Sequence, residues 1–205
     1  MAQQKGLGRG LGALLGDYNQ GPEADGSLRQ LPLQKVEPNP DQPRRDFNEE
    51  ELQALADSIG EHGILQPLTV REMPHSGYFQ IIAGDRRWRA ARMAGLTEVP
   101  ALVIEADDRQ AMELALIENL QRQDLNPVEE AQGYHSLLED YGLTQEEAAR
   151  RVGKSRPAVA NALRLLNLEA DILEQIRSGA LSPGHARAIL SLKDGKKRQE
   201  AAQKI

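Results

Sequence analysis

Three polar clusters in the first 122 residues carry side chains that suit a phosphate group. They are Gln42-Pro43-Arg44-Arg45, Gly84-Asp85-Arg86-Arg87 and Glu118-Asn119-Leu120-Gln121-Arg122. Gly84 follows an apolar stretch and opens a predicted helix, where unpaired backbone N–H groups and the helix dipole favour an anion. Arg44, Arg86, Arg87 and Arg122 can add charge-assisted hydrogen bonds. Glu118 and Asn119 offer oxygen ligands of the kind Mg²⁺ takes while keeping water and phosphate oxygens. No Walker-type Gly-rich Lys motif is present. Each cluster taken alone also fits a solvated charge run, and their chemistry names no nucleotide.

A second constellation lies at 145–164 and fits a helix-turn-helix. Ala149 is small at the predicted helix crossing, and Val152 and Val159 are apolar core positions. Gly153 suits a turn that needs positive φ. Ser155 can cap the second helix, and Pro157 sits in its first turn, where a missing N–H costs little. That helix presents Arg156, Ala158, Asn161, Ala162 and Arg164, residues that in such a motif meet base edges and phosphates in the major groove. The same spacing fits an ordinary helical hairpin.

The elements that must position these residues follow from periodicity. Residues 31–36 read as a short strand stopped by Pro38 and Pro40. Asn48 caps a helix through Ile59, with Leu52, Leu55, Ala56 and Ile59 on its buried face. Residues 68–71 and 78–83 alternate like two strands around a turn at 74–77. Residues 85–93 read as a helix ending at Gly95, 99–104 as a strand, and 108–122 as a helix with Met112, Ala115, Leu116 and Leu120 on one face. Beyond Asn126 and Pro127 the strand signal disappears. Helices are expected at 128–141, 145–152, 156–165, 169–178 and 183–192, with a further helical-looking stretch at 196–205 that no cap or Gly closes and no packing face completes. The expectation is an α+β domain at 29–126 and an all-α module at 127–205. Residues 19–28 read as a polar linker. Residues 1–28 form a Gly-rich tail in which Leu7, Leu11, Leu14 and Leu15 keep near-helical spacing.

Composition bounds the rest. The chain has 205 residues, 25 Lys and Arg, 31 Asp and Glu, a net charge of −6 and no Cys. Absence of Cys excludes disulfide scaffolds, thiol catalysis and thiolate metal sites. No apolar run reaches the roughly 18 residues of a membrane span, and no signal peptide is apparent, which points to a cytoplasmic chain. A net −6 taken alone argues against nucleic acid. The charge is unevenly spread, however: residues 141–205 hold 12 basic against 7 acidic side chains, net +5, leaving 13 against 24, net −11, for residues 1–140.

Together the motifs resemble the ParB family of chromosome-partitioning proteins. The resemblance runs through LGRGLGALL (7–15), NPDQPRRDF (39–47), GILQPLTVR (63–71), IIAGDRRWRAA (81–91), ENLQRQDLNPVEEA (118–131), GKSRPAVANALRLLNL (153–168) and LSPGHARAIL (181–190). It implies a ParB/sulfiredoxin-like α+β domain that binds CTP with Mg²⁺, a helix-turn-helix domain that binds parS DNA, and a sliding clamp gated by CTP binding and weak CTP hydrolysis. The nucleotide contacts it implies are Arg44, Gln66, Pro67, Leu68, Gly84, Arg86, Arg87, Glu118, Asn119 and Arg122, with Glu118 and Asn119 on the metal. Gln42 and Asp85 match positions implicated in hydrolysis; most relatives carry Glu where Asp85 stands. The implied DNA contacts are Lys154, Ser155, Arg156, Ala158, Asn161, Ala162, Arg164, Asn167, Gly184 and Arg187. The tail is similar to the segment that contacts the ParA ATPase, with Lys5, Leu7, Arg9 and Leu11 as contacts. Its two bases make a poor membrane face.

The resemblance further implies CTP-promoted self-association, a nucleoid-associated location in bacteria, and a C-terminal dimerisation domain beyond this chain. Two other readings stay open: a nucleotide-independent helix-turn-helix repressor and a nucleoid-occlusion-type relative. A sulfiredoxin-like redox enzyme is disfavoured, because its chemistry needs an enzyme thiol.

Overall fold

The computed structural model describes residues 26–39, 48–122, 125–192 and 194–205. The first half is built on a five-stranded mixed sheet. Its strands are β1 (Ser27–Pro32), β2 (Val36–Glu37), β3 (Leu68–Glu72), β4 (Phe79–Ala83) and β5 (Glu98–Ile104), in the order β1-β5-β3-β4-β2. β1 and β4 run antiparallel to β5 and β3, whereas β3 pairs parallel with β5 and β2 with β4.

The expected single strand at 31–36 is therefore two strands at opposite edges, joined by a 3₁₀ turn at Leu33–Lys35. Pairing with β5 begins at Ser27, so Ser27 and Leu28 belong to the sheet and not to a linker. This connection dictates the sheet's shape. Flat, five strands would hold their edges about 19 Å apart. The four steps from Pro32 to Val36 reach about 14 Å at most. The sheet must curl to bring its edges together.

Helix α1 (Glu49–His62) starts where Asn48 accepts from the Glu50 amide, 3.0 Å away. Its Ala56 and Ile59 join Leu68, Val70, Ile81, Trp88, Ala90, Ala91 and Val99 in the main core, with Leu52 and Leu55 packed at the margin. Helix α2 (Asp85–Met93) packs beside α1. Helix α3 (Asp108–Leu120) opens with a capping box between Asp107 and Gln110. It lies between two cores. Ala111, Leu114 and Ala115 pack on Ile82 and Ile104 of the sheet, while Leu116, Ile117 and Leu120 pack with the helical module. One apolar stripe through Met112 was the wrong expectation: Met112 is exposed and Ala111 is buried, because a helix with cores on two sides needs two short stripes.

The second half is all helical: α4 (Pro127–Glu139), α5 (Gln145–Arg151), α6 (Arg156–Leu165), α7 (Ala170–Arg177), α8 (Pro183–Leu190) and α9 (Gly195–Ala202). Local chemistry sets their starts. Asn126 and Thr144 form capping boxes, and Ser155, Ser182 and Asp194 accept from first-turn amides. The last stretch opens on the Asp194 cap. It also has a packing face, since Ala202 is buried with Val128, Leu165, Ile172 and Ile189. Among the described residues no helix is long and apolar enough to cross a membrane.

Candidate functional sites

β4 ends at Ala83, and the chain turns into α2 through Gly84, the helix N-cap, at φ 102°. A Cβ on Gly84 would approach the Arg87 guanidinium to 3.1 Å. Positive φ and tight space both call for glycine here. The turn leaves the first amides of α2 without intrahelical partners, a setting for an anion.

Around this terminus the structure gathers several of the expected residues. Arg87 folds back and donates to the carbonyls of Gln66 and Pro67, at 2.7 and 2.6 Å. That bond brings residues 66–68, 20 positions earlier, to the start of α2. Burial lowers the pKa of Arg87, and the charge of Glu118, near the far end of α3, opposes that shift. Leu68 is fully buried in the core, which leaves only its backbone for a ligand. Arg86 is held by Glu51 of α1 at 3.0 Å. Asp85 accepts from Arg89 Nε at 2.8 Å through one oxygen, while its buried Oδ1 has no hydrogen-bond partner. Asn119 Oδ1 accepts from Arg122 at 3.1 Å. Gln42 and Arg44, and the tail residues Lys5, Leu7, Arg9 and Leu11, lie outside the described residues.

Sequence reasoning missed Glu51 and Arg89. Arg89 was findable, being one helical turn beyond Asp85. Glu51 lies 35 positions from Arg86, and no spacing rule connects them. As for a metal, no group of three or more His, Cys, Asp or Glu occurs among the described residues. Glu118 and Asn119 supply two oxygens, which suits an ion that takes one or two protein ligands beside phosphate and water.

The second site lies on α5 and α6. Ala149, Val152 and Val159 are buried where the helices meet, and Gly153 turns the chain at φ 69°. Ser155 Oγ accepts from the Ala158 amide at 3.3 Å. Lys154, Ser155, Arg156, Ala158, Asn161, Arg164 and Asn167 are exposed, whereas Ala162 is partly buried. Gly184 and Arg187 come from α8 and are also exposed. Arg187 shares a groove of about 410 Å³ with Ser155, Ala158, Asn161 and Ala162. Five of the expected DNA residues thus share one groove between α6 and α8. The two halves meet through α3: Arg151 of α5 pairs with Glu113, and Gln121 donates to the Arg151 carbonyl at 3.4 Å.

Comparison with known proteins agrees with this division. Residues 18–120 match the ParB N-terminal domain and residues 123–205 the ParB HTH domain. The chain is 58% identical over 187 residues to the chromosome-partitioning protein Spo0J of Thermus thermophilus, covering 91% of this chain and 66% of that protein. It therefore spans about two thirds of that relative's length. A C-terminally truncated ParB from Caulobacter crescentus, solved in complex with the centromeric parS site, matches with a TM-score of 0.76 at 46% identity, over 86% of this chain and 92% of that one. A C-terminally truncated ParB from the same organism, complexed with CTP-gamma-S, is 48% identical over 86% of this chain and 99% of that one, with a TM-score of 0.45. The chain belongs to the ParB family.

Proposed function

We propose that this chain is the nucleotide- and DNA-binding part of a chromosome-partitioning protein, which reads parS through α6 and α8 and takes CTP with Mg²⁺ at the α2 terminus. The observation that carries this reading is the presence of both sites in one chain: an anion-ready, Arg-flanked helix terminus opened by Gly84, and an exposed Arg156–Asn161–Arg164 surface on a helix-turn-helix.

On the nucleotide side, the α2 amides and Arg86 bind triphosphate oxygens, and Arg86 leaves Glu51 to do so. Arg87 orients residues 66 and 67 so that their backbone reads the base edge. Glu118 and Asn119 would hold Mg²⁺, which neutralises phosphate charge when bound. Asp85 Oδ1 accepts a hydrogen bond from the water that attacks the terminal phosphate, and Gln42 helps to place that water. Asp85 is one methylene shorter than Glu, so its reach to that water sets the rate of hydrolysis. On the DNA side, Arg156 bonds a guanine edge and Asn161 an adenine edge, while Lys154, Arg164 and Arg187 contact phosphates. CTP gates a sliding clamp, and Lys5 and Arg9 of the tail engage ParA.

The test is equilibrium titration with CTP, UTP, GTP and ATP, with Mg²⁺ or EDTA, beside parS and scrambled DNA. CTP-selective, Mg²⁺-dependent binding is expected. Equal binding of all four nucleotides, or of none, overturns the nucleotide half. The alternative, a nucleotide-independent repressor, is favoured by the intact helix-turn-helix alone. Arg86→Ala separates the two: loss of CTP-dependent accumulation on DNA with parS binding retained supports the clamp, and unchanged loading supports the repressor.

A further inference from the structure

Arg71 is the one charged or polar side chain that is buried among the described residues, at 7% exposure. It sits on β3, away from the helix-turn-helix, and none of the clusters described above includes it. All three of its guanidinium nitrogens donate. Nε and one terminal nitrogen donate to Gln80 Oε1 at 2.9 and 2.6 Å. The same terminal nitrogen reaches Asp108 Oδ1 at 2.5 Å, and the other donates to the Ala106 carbonyl at 3.4 Å. These partners lie at two strategic places. Gln80 is on β4, four residues before Gly84. Asp108 is the first residue of α3, ten residues before Glu118.

We infer that Arg71 is a positioning residue for the nucleotide site: it pins the start of α3 to the strand that delivers Gly84, and so sets Glu118 and Asn119 opposite the α2 terminus. This inference rests on the nucleotide reading given above.

The geometry makes the pin consequential. The core between α3 and the sheet is small, with Ile82, Ile104 and Ala111 its buried members. The other stripe of α3 is claimed by the helical module. A helix packed on two bodies follows whichever holds it more firmly. Ten helical residues make a lever of about 15 Å, so a tilt of about 10° at Asp108 carries Glu118 about 2.6 Å. Mg²⁺ demands ligand oxygens at roughly 2.0–2.1 Å in near-ideal geometry, so such a shift removes a ligand. A planar guanidinium with several fixed donors can hold three elements at once, which an ammonium cannot.

The chain has one tryptophan, Trp88 on α2, and no cysteine. A fluorophore on Glu118→Cys is therefore a unique acceptor for Trp88, and energy transfer reads the α2–α3 distance without any ligand. This is compared in the otherwise wild-type chain, in Arg71→Met and in Asp108→Ala. Asp108 has a 91% exposed side chain, so its variant keeps the test valid if Arg71→Met fails to fold. In parallel, with Glu118 intact, the Mg²⁺ midpoint for CTP binding is measured for each variant. A broadened distance distribution is expected, with the Mg²⁺ midpoint raised about tenfold, as for partners that orient metal ligands. CTP affinity at saturating Mg²⁺ is expected to stay unchanged. An unchanged distance distribution in a folded variant overturns the pin. A changed distribution with the wild-type Mg²⁺ midpoint overturns its role at the site. If the wild-type chain binds no CTP, the nucleotide reading falls, and the ligand-free distances still decide the pin.

Discussion

The two halves of the molecule build their sites by opposite means. In the helical module the proposed DNA surface is local: Lys154 to Asn167 lie within one helix and its flanks, and only Gly184 and Arg187 come from farther on. Every helix there except α7 announces its own start through a side-chain cap. In the sheet module the proposed site draws on residues 66–67, 84–87 and 118–119, which are far apart in the chain and are brought toward one another only by the sheet and α3. Local sites tolerate changes elsewhere in their module as long as their own helix persists. Assembled sites depend on the elements between their parts.

Four substitutions or conditions probe this contrast. Ile172 is fully buried in the core of α6 to α9, remote from α3. Ile172→Ala should cost about 2–5 kcal/mol in that core. Thermal unfolding followed with parS binding should show the helical module lost first, with CTP affinity unchanged. A parallel loss of CTP affinity would mean that the modules are coupled through more than α3.

Arg156→Ala should cost about 1–3 kcal/mol at parS and relax its specificity. The check is affinity on parS against scrambled DNA; equal weakening on both would make Arg156 a phosphate contact.

Gly84→Ala forces a side chain into φ 102° against Arg87. The left-handed backbone alone costs about 1–2 kcal/mol. Nucleotide titration should show weaker CTP binding, and DNA titration should show unchanged parS affinity. An effect on both would break the distinction between local and assembled sites.

The smallest effect concerns pH. Glu147 is held below its ordinary pKa of 4.5, chiefly by the Thr144 backbone amide and then by the Thr144 hydroxyl. A depressed carboxylate contributes stability above its unfolded pKa and loses it as pH falls through the folded value. Thr144→Ala should therefore narrow the stability difference between pH 7 and pH 3 in an acid titration of helix content. An unchanged pH profile would mean that this cap does not hold the start of α5.

The elements that sequence reading located well are those with local signals. Helix 156–165 matches α6 residue for residue, because Ser155 and Pro157 mark its start by short-range chemistry. Helix 85–93 matches α2 for the same reason: Gly84 opens it and Gly95 follows its end. Misreadings occurred where a distant partner decided the outcome. The strand at 31–36 split because its halves pair with distant strands, Leu31 with Val99 of β5 and Val36 with Phe79 of β4. Met112 was assigned to a buried face because one amphipathic stripe was assumed, and the helix turned out to serve two cores. The Arg-rich motif at 84–87 was visible as chemistry, yet its present partners, Glu51 for Arg86 and the Gln66 and Pro67 carbonyls for Arg87, were not.

By itself, then, the sequence determined where helices begin, which half is basic, and which side chains have the chemistry for phosphate and for base edges. These depend on interactions within one or two turns. Only the tertiary structure decided that the charge of Glu118 acts on Arg87, that Arg71 joins β3, β4 and α3, and that Arg187 shares a groove with Asn161. The reason is physical: such contacts are set by how a curled sheet and packed helices close space between residues far apart in the chain, and no local periodicity encodes that distance.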